Sequence, residues 1–255
     1  MSGRLLCTKW FARRSRKRSR SAPVRAAKFL RLLPASATVE QRVLQARVDI
    51  AEQRYSIAVQ ELEKLPKASP DNLYDSQYWL AKAQSELGLL AVSEGTLDHL
   101  LASKPDHQLA LELKVALTTE QRTWQTAIEA QTRLTQLRPG AAGEQCHLGD
   151  LFLRSKNLEK AQSPLLKGLQ LDEYAFLCHR DLGELYRVTG RGTQAVHELE
   201  WVVRFFPEGD AKTYISLALA YQAARRQSDA ESVLEKGRRL FPNDQLLQKF
   251  SLPKN

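Results

Sequence analysis

Two Cys-His dipeptides, Cys146-His147 and Cys178-His179, carry the residue types best suited to holding a transition metal. A structural zinc site takes four such ligands at tetrahedral corners. Adjacent residues on a helix point about a hundred degrees apart, so neither dipeptide can easily turn both side chains to one ion. The better reading is buried thiols that fill a helix interface, with no metal and no cofactor. With Cys7 the cysteines number three, an odd count at wide spacing. They imply no disulfide framework, and a reducing compartment fits them. Other chemistry is missing from the sequence. There is no glycine-rich phosphate loop, no Gly-x-Ser-x-Gly elbow and no His-Glu-x-x-His. The carboxylates are spread evenly along the chain, as on solvated helix faces. The sequence therefore predicts no catalytic residue, no enzyme and no small-molecule substrate.

The elements that would carry these residues repeat. Pro70, Pro105 and Pro139 are 35 and 34 residues apart, the next step of 34 falls on Glu173, and Pro207 and Pro242 follow after 34 and 35. A second register runs beside it, in which paired small residues lie twelve apart: Ala46 and Ala58, Ala81 and Ser93, Gly149 and Ala161, Gly183 and Ala195, Ala218 and Ala230. Val115 and Ala127 keep the spacing but not the small size. A leucine follows four later at Leu62, Leu97, Leu165, Leu199 and Leu234, with Gln131 as the exception. Each unit thus holds two stretches of helical period. A small residue in each lets the pair approach closely, and the proline falls between units, where it ends a helix without breaking one. One hairpin cannot bury its apolar faces alone, so the units must stack.

The pattern resembles the tetratricopeptide repeat, a helix-turn-helix unit of about 34 residues. The copy at 176–209 carries it best, through Leu182, Gly183, Tyr186, Gly190, Ala195 and Pro207. Next come 211–244, with Leu217, Ala218, Tyr221, Ala230, Leu234, Gly237 and Pro242, and 142–175, with Leu148, Gly149, Phe152, Ala161, Leu165 and Gly168. Weaker copies fall at about 39–72, 74–107 and 108–141. Asp49 stands at an aromatic position of the first; Val115 and Thr118 depart from the pattern in the third. About 205 of 255 residues are covered. The resemblance implies an all-α, right-handed α-solenoid of about six repeats over 39–244. It also implies a concave groove lined by the first helix of each repeat.

Carried onto this chain, the family's groove positions give Arg47, Tyr78, Lys82, Glu86, Glu112, Glu120, Asp150, Arg154, Arg180, Glu184 and Arg187. Five are basic and five acidic, which favours a mixed peptide over a ligand of one sign. Some family members clamp an acidic chaperone tail with a lysine at repeat position 5. Here that position is Val43, Tyr78, Glu112, Cys146, Arg180 or Ile215, so no such binding is expected. The resemblance points to a scaffold or adaptor for a protein or peptide partner, although fold alone does not fix function. "RPGAAGEQ" at 138–145 reads as a hinge or an ordinary inter-repeat turn. At the start, Asp49 and the polar run Gln41, Arg42 and Gln45 suit a first helix with one exposed side. At the end, Asn243 reads as the N-cap of a short capping helix, with Leu246, Leu247 and Phe250 near one face and a tail to 255.

The net charge of +9 belongs to one end. Residues 1–39 hold eleven Lys and Arg and no acid, while the rest holds 27 basic and 29 acidic residues. Arg13, Arg14, Arg16, Lys17, Arg18 and Arg20 crowd into eight positions. Like charges this dense predict disorder in isolation over a 1–38 arm. Its uses stay open: phosphate contacts to nucleic acid, nuclear import, organellar transit, or an anionic membrane beside Trp10 and Phe11. A secretory signal is weaker, because Arg31 breaks a short apolar core. A passive or mis-annotated start remains a further reading. A factor anchored on nucleic acid by the arm is thus the alternative to the adaptor. No apolar run reaches the roughly 20 residues of a membrane span, and a cytoplasmic location is the expectation, with nuclear or organellar targeting by the arm also open.

Overall fold

The repeat of the sequence recurs in the backbone as a series of left-handed residues. Gln53, Gly88, Arg122, Lys156, Gly190 and Arg225 all take φ between 60° and 76°, and neighbours in the series are 34 or 35 residues apart. Each sits just past the end of a helix. The next residue's N–H reaches back five positions: Arg54 to the Asp49 carbonyl at 2.7 Å, Asn157 to Phe152 at 2.9 Å, Arg191 to Tyr186 and Arg226 to Tyr221, both at 2.8 Å. This is a Schellman turn, which satisfies carbonyls that the helix end leaves free. Glycine supplies the left-handed residue without strain at only two of the six turns. At Gly190 a Cβ would have open space around it. Gly190→Ala therefore meets a conformational cost and no clash, and should lower stability by about 1 kcal/mol. Urea denaturation checks this; unchanged stability would refute it.

The structure, a computed structural model, describes residues 37–65 and 70–253. Among these it has thirteen helices and no strand. Two compact units divide between Leu117 and Thr118. The first holds α1 (Val39–Ala51), α2 (Tyr55–Glu63), α3 (Pro70–Glu86), α4 (Leu90–Ser103) and most of α5 (Gln108–Glu120). The second holds α6 (Trp124–Leu137), α7 (Ala142–Arg154), α8 (Leu158–Leu171), α9 (Phe176–Val188), α10 (Gly192–Phe205), α11 (Ala211–Ala223), α12 (Gln227–Leu240) and α13 (Gln245–Lys249). No described helix is long and apolar enough to cross a membrane.

The small-residue register is where paired helices meet. Ala46, Ala58, Ala81, Ser93, Ala161, Ala195, Ala218 and Ala230 are fully buried. The approach is close: a Cβ at Gly149 would lie 2.3 Å from Leu165 Cδ2, and one at Gly183 would lie 2.5 Å from Leu199 Cγ. Ser93 keeps its hydroxyl in the core by donating to the Ala81 carbonyl at 2.7 Å. The register leucines Leu62, Leu97, Leu165, Leu199 and Leu234 are buried too. Gln131, the polar exception, is equally buried and stays satisfied by donating to the Glu144 carbonyl at 2.9 Å and to its Oε2 at 2.8 Å. Each of α4, α6, α8, α10 and α12 stops two residues before the proline register. In each the C-cap N–H bonds back to the carbonyl four before it.

Several expectations change. Asp49 does not lie on an exposed side: it is buried, pairs with Arg54, and accepts from Gln45 Nε2 at 3.1 Å. The last helix is capped by Asp244 and not Asn243, through Leu247 N–H to Asp244 Oδ1 at 2.8 Å. Leu247 is fully buried and Phe250 packs against the core, but Leu246 is exposed. Of the two readings of 138–145, the ordinary turn holds for 138–141, while 142–145 open α7; Arg138 and Glu144 pair at 2.8 Å, and the units divide elsewhere, within α5.

The largest correction concerns the cysteines. Cys146 on α7 and Cys178 on α9 are joined by a disulfide, with Cα atoms 4.9 Å apart. They are not free thiols. The two residues stand on the first helices of successive hairpins, and the absence of a Cβ at Gly168 leaves room for both sulfurs. The cysteine argument for a reducing compartment loses its support.

Candidate functional site

In the second unit the first helices of three consecutive hairpins, α7, α9 and α11, line one cleft of about 630 Å3. Asp150 and Arg154 come from α7. Phe176, Arg180, Asp181 and Glu184 come from α9, Gly209 and Asp210 from the turn that leads into α11, and Lys212, Thr213 and Ser216 from α11 itself. The helical period explains the grouping, since residues four apart share a face. The expected residues Asp150, Arg154, Arg180 and Glu184 are thus brought together. Arg187 does not line the cleft; it holds Glu184 through two bonds, Nε to Oε2 at 2.8 Å and Nη2 to Oε1 at 2.5 Å.

Glu184 also accepts from Ser216 Oγ at 3.0 Å, which ties α9 to α11. Burial pushes the Glu184 carboxyl up, but the Arg187 fork and the Ser216 hydroxyl outweigh it and hold its pKa below the usual range. Arg154 and Asp150 pair at 3.4 Å with the guanidinium half-exposed. Asp210 caps α11 by accepting from Lys212 N–H at 3.1 Å, while the Lys212 residue is exposed.

Asp181 is the unusual member. It is only 5% exposed. Its Oδ1 accepts from Arg180 Nε at 2.8 Å, and its Oδ2 is buried with no partner. Burial raises its pKa to about 6, against the bond and charge of Arg180. The Thr213 hydroxyl, on a residue 2% exposed, is likewise buried without a partner.

The other expected residues fall in the first unit. Arg47 lies over the Trp79 ring at 4.9 Å, and the Trp79 indole donates to Asp75 at 3.0 Å. Tyr78 stacks on His107 with centroids 5.8 Å apart, and burial raises its phenol pKa against the field of Lys82. Lys82 pairs with Glu86 at 2.6 Å. Glu112, on α5, acts on Tyr78 through its charge. Glu120 is exposed at the end of α5, past the division, and does not line the cleft. The basic residues Arg13, Arg14, Arg16, Lys17, Arg18 and Arg20 lie outside the described residues.

Sequence reasoning missed Asp181, Thr213, Ser216 and Asp210. Asp181 falls one residue past a groove position of the family, where no motif flagged it. Lys212 does occupy such a position and was passed over. His179 is structural: its ring stacks on Trp201 at 3.7 Å between centroids, with Nδ1 2.6 Å from Glu198 Oε2 and Nε2 3.0 Å from the Glu173 carbonyl. Among the described residues no group of three His, Cys, Asp or Glu is placed to hold a metal ion.

The sequence matches no protein-family model and no curated protein. Solved structures do share its architecture. The C-terminal part of a TPR repeat-containing protein from Cytophaga hutchinsonii superposes with a TM-score of 0.69 at 15% identity, over 90% of this chain and 95% of that one. A tetratricopeptide repeat protein from Parabacteroides merdae gives 0.67 at 18% identity, over 78% of each chain. YrrB, a TPR protein with an unusual peptide-binding site, gives 0.54 at 15% identity, over 76% of this chain and 95% of its own. Helix hairpins on a 34- to 35-residue period, Schellman turns at every step and these likenesses make the chain an all-α solenoid of the tetratricopeptide-repeat fold.

Proposed function

We propose that the chain is a non-catalytic protein-interaction module that holds a peptide or helix of a protein partner against the first helices of its hairpins. The carrying observation is the cleft of α7, α9 and α11, open to solvent and lined by charges of both signs. In the second unit the contacts fall on Asp150, Arg154, Arg180, Glu184 and Lys212, with Arg187 setting Glu184. In the first, Arg47, Tyr78, Lys82, Glu86 and Glu112 lie on the corresponding helices. YrrB, of like fold, has a peptide-binding site, which agrees with this reading.

Arg154 and Lys212 are the residues to test, because both are exposed. Reversing Arg180 or Arg187 would instead break the closer pairs with Asp181 and Glu184, at 2.8 and 2.5 Å, whereas Arg154 gives up only a 3.4 Å contact with Asp150. Peptides selected from a random library on the full chain should lose affinity about tenfold or more against Arg154→Glu/Lys212→Glu, through lost pairing and new repulsion. Selected peptides that bind this variant as well as the wild type would refute the assignment of the cleft.

A further inference from the structure

A folded protein rarely leaves both a buried carboxylate oxygen and a buried hydroxyl unpaired in one lining. The cleft of α7, α9 and α11 does so with Asp181 Oδ2 and Thr213 Oγ1. The other charges of the lining already have partners or face water. Asp150 is held by Arg154, Glu184 by Arg187 and Ser216, and Asp210 by the backbone of α11, while Lys212 is exposed. Arg180 spends its Nε on Asp181 Oδ1. Four carboxylates line the cleft (Asp150, Asp181, Glu184, Asp210) against three cations (Arg154, Arg180, Lys212). Arg187, from outside the lining, balances Glu184, so what the site leaves unmet is a donor of hydrogen bonds to Asp181 Oδ2 and Thr213 Oγ1.

We propose that this cleft is a subsite for a guanidinium, the arginine side chain of a bound peptide, with Asp181 Oδ2 and Thr213 Oγ1 as its acceptors. A carboxylate oxygen can only accept, so its partner must donate. The planar fork of arginine offers several N–H groups at once, and can serve a carboxylate and a hydroxyl together. Phe176, in the same lining, supplies a ring face of the kind on which a guanidinium stacks. Its ring already has Arg180 at 5.9 Å. This inference rests on the peptide-binding reading above and adds the chemistry that the peptide must carry. Such an arginine could come from a separate partner or from the basic 13–20 segment of this same chain.

The test uses the full chain and the peptides selected on it. Each arginine of a selected peptide is replaced by citrulline, which keeps the shape and removes the charge. The selected peptides should share an arginine. Its replacement should weaken binding about tenfold or more, as should Asp181→Asn, with Thr213→Val weakening it by roughly threefold. The citrulline arm leaves the protein untouched, so a folding defect in a variant cannot mimic the result. A full chain with Arg13, Arg14, Arg16, Lys17, Arg18 and Arg20 changed to Gln separates the two sources. If it binds the peptides more tightly than the wild type, and binds a synthetic 12–28 peptide in an Asp181-dependent way, the arm is the native occupant; equal binding assigns the subsite to a separate partner. Peptides that lose binding with Arg154→Glu/Lys212→Glu, but lack arginine or ignore Asp181→Asn, overturn the guanidinium subsite and leave the groove standing. No selected peptide, or binding indifferent to every variant, overturns both.

Discussion

Reducing the bond between Cys146 and Cys178 should lower the stability of the second unit by about 2–4 kcal/mol. The bond closes a loop with a sequence separation of 32 and so restricts the unfolded chain. The folded side changes little on reduction. Both residues are buried, and a thiol packs as a small apolar group. The loss is felt between repeats, since α7 and α9 belong to successive hairpins whose coupling decides whether the array unfolds together. Guanidinium denaturation with and without dithiothreitol measures it, with Cys146→Ser/Cys178→Ser as the genetic equivalent. Thiol titration of the unfolded, unreduced protein should find one reactive cysteine, Cys7, of the three. Coincident transitions with and without reductant, or three reactive thiols, would remove the disulfide and restore the reading of buried free thiols.

The register of this fold is legible from the sequence because it is written in size. Gly149, Gly183, Ala46 and Ala218 sit where helices nearly touch, and Leu165 or Leu199 fills the space left for it. Proline marks the ends of α4, α6, α10 and α12, where it meets no helical hydrogen bond, although Pro164 lies inside α8. The left-handed turn residue is less legible, since Gln53, Arg122, Lys156 and Arg225 take it without being glycine. The disulfide is not legible, because an odd count of cysteines at wide spacing implies no framework. Only the three-dimensional approach of 4.9 Å between their Cα atoms makes them a pair. The cleft was legible as far as family positions reach, to Asp150, Arg154, Arg180 and Glu184. Asp181 and Thr213 were not, because an unpaired buried oxygen is a property of packing and leaves no mark on spacing. Asp49 shows the same limit: a lone acid in an apolar register signals a surface until Arg54 is found beside it.

Asp181 also sets the second large effect, in stability against pH. Its carboxyl is raised to about 6 by burial, with Asp150 adding to the rise and Arg180 and Arg154 opposing it. Glu184, Asp210 and Lys212 complete the charges of its cleft. An acid whose folded pKa lies above its unfolded one near 3.8 binds its proton more tightly when folded. The contribution to stability is then complete below about pH 4 and is lost as pH rises through 6. About two pKa units correspond to roughly 3 kcal/mol. Asp181→Asn imitates the protonated form and keeps an acceptor for Arg180. Between pH 4 and pH 7, a window that opens just above the unfolded pKa, the variant should therefore gain roughly 2 kcal/mol on the wild type. Glu184 and Glu198, whose carboxyls are held low, act in the opposite direction but are present in both proteins and cancel. Urea denaturation of both at the two pH values gives the difference. Parallel pH dependences would mean that Asp181 is ionised as easily in the fold as outside it. A gain of the expected size would show that the protein keeps a buried negative charge at neutral pH against its own stability. Retaining such a charge makes physical sense when a cationic ligand returns the lost free energy on binding.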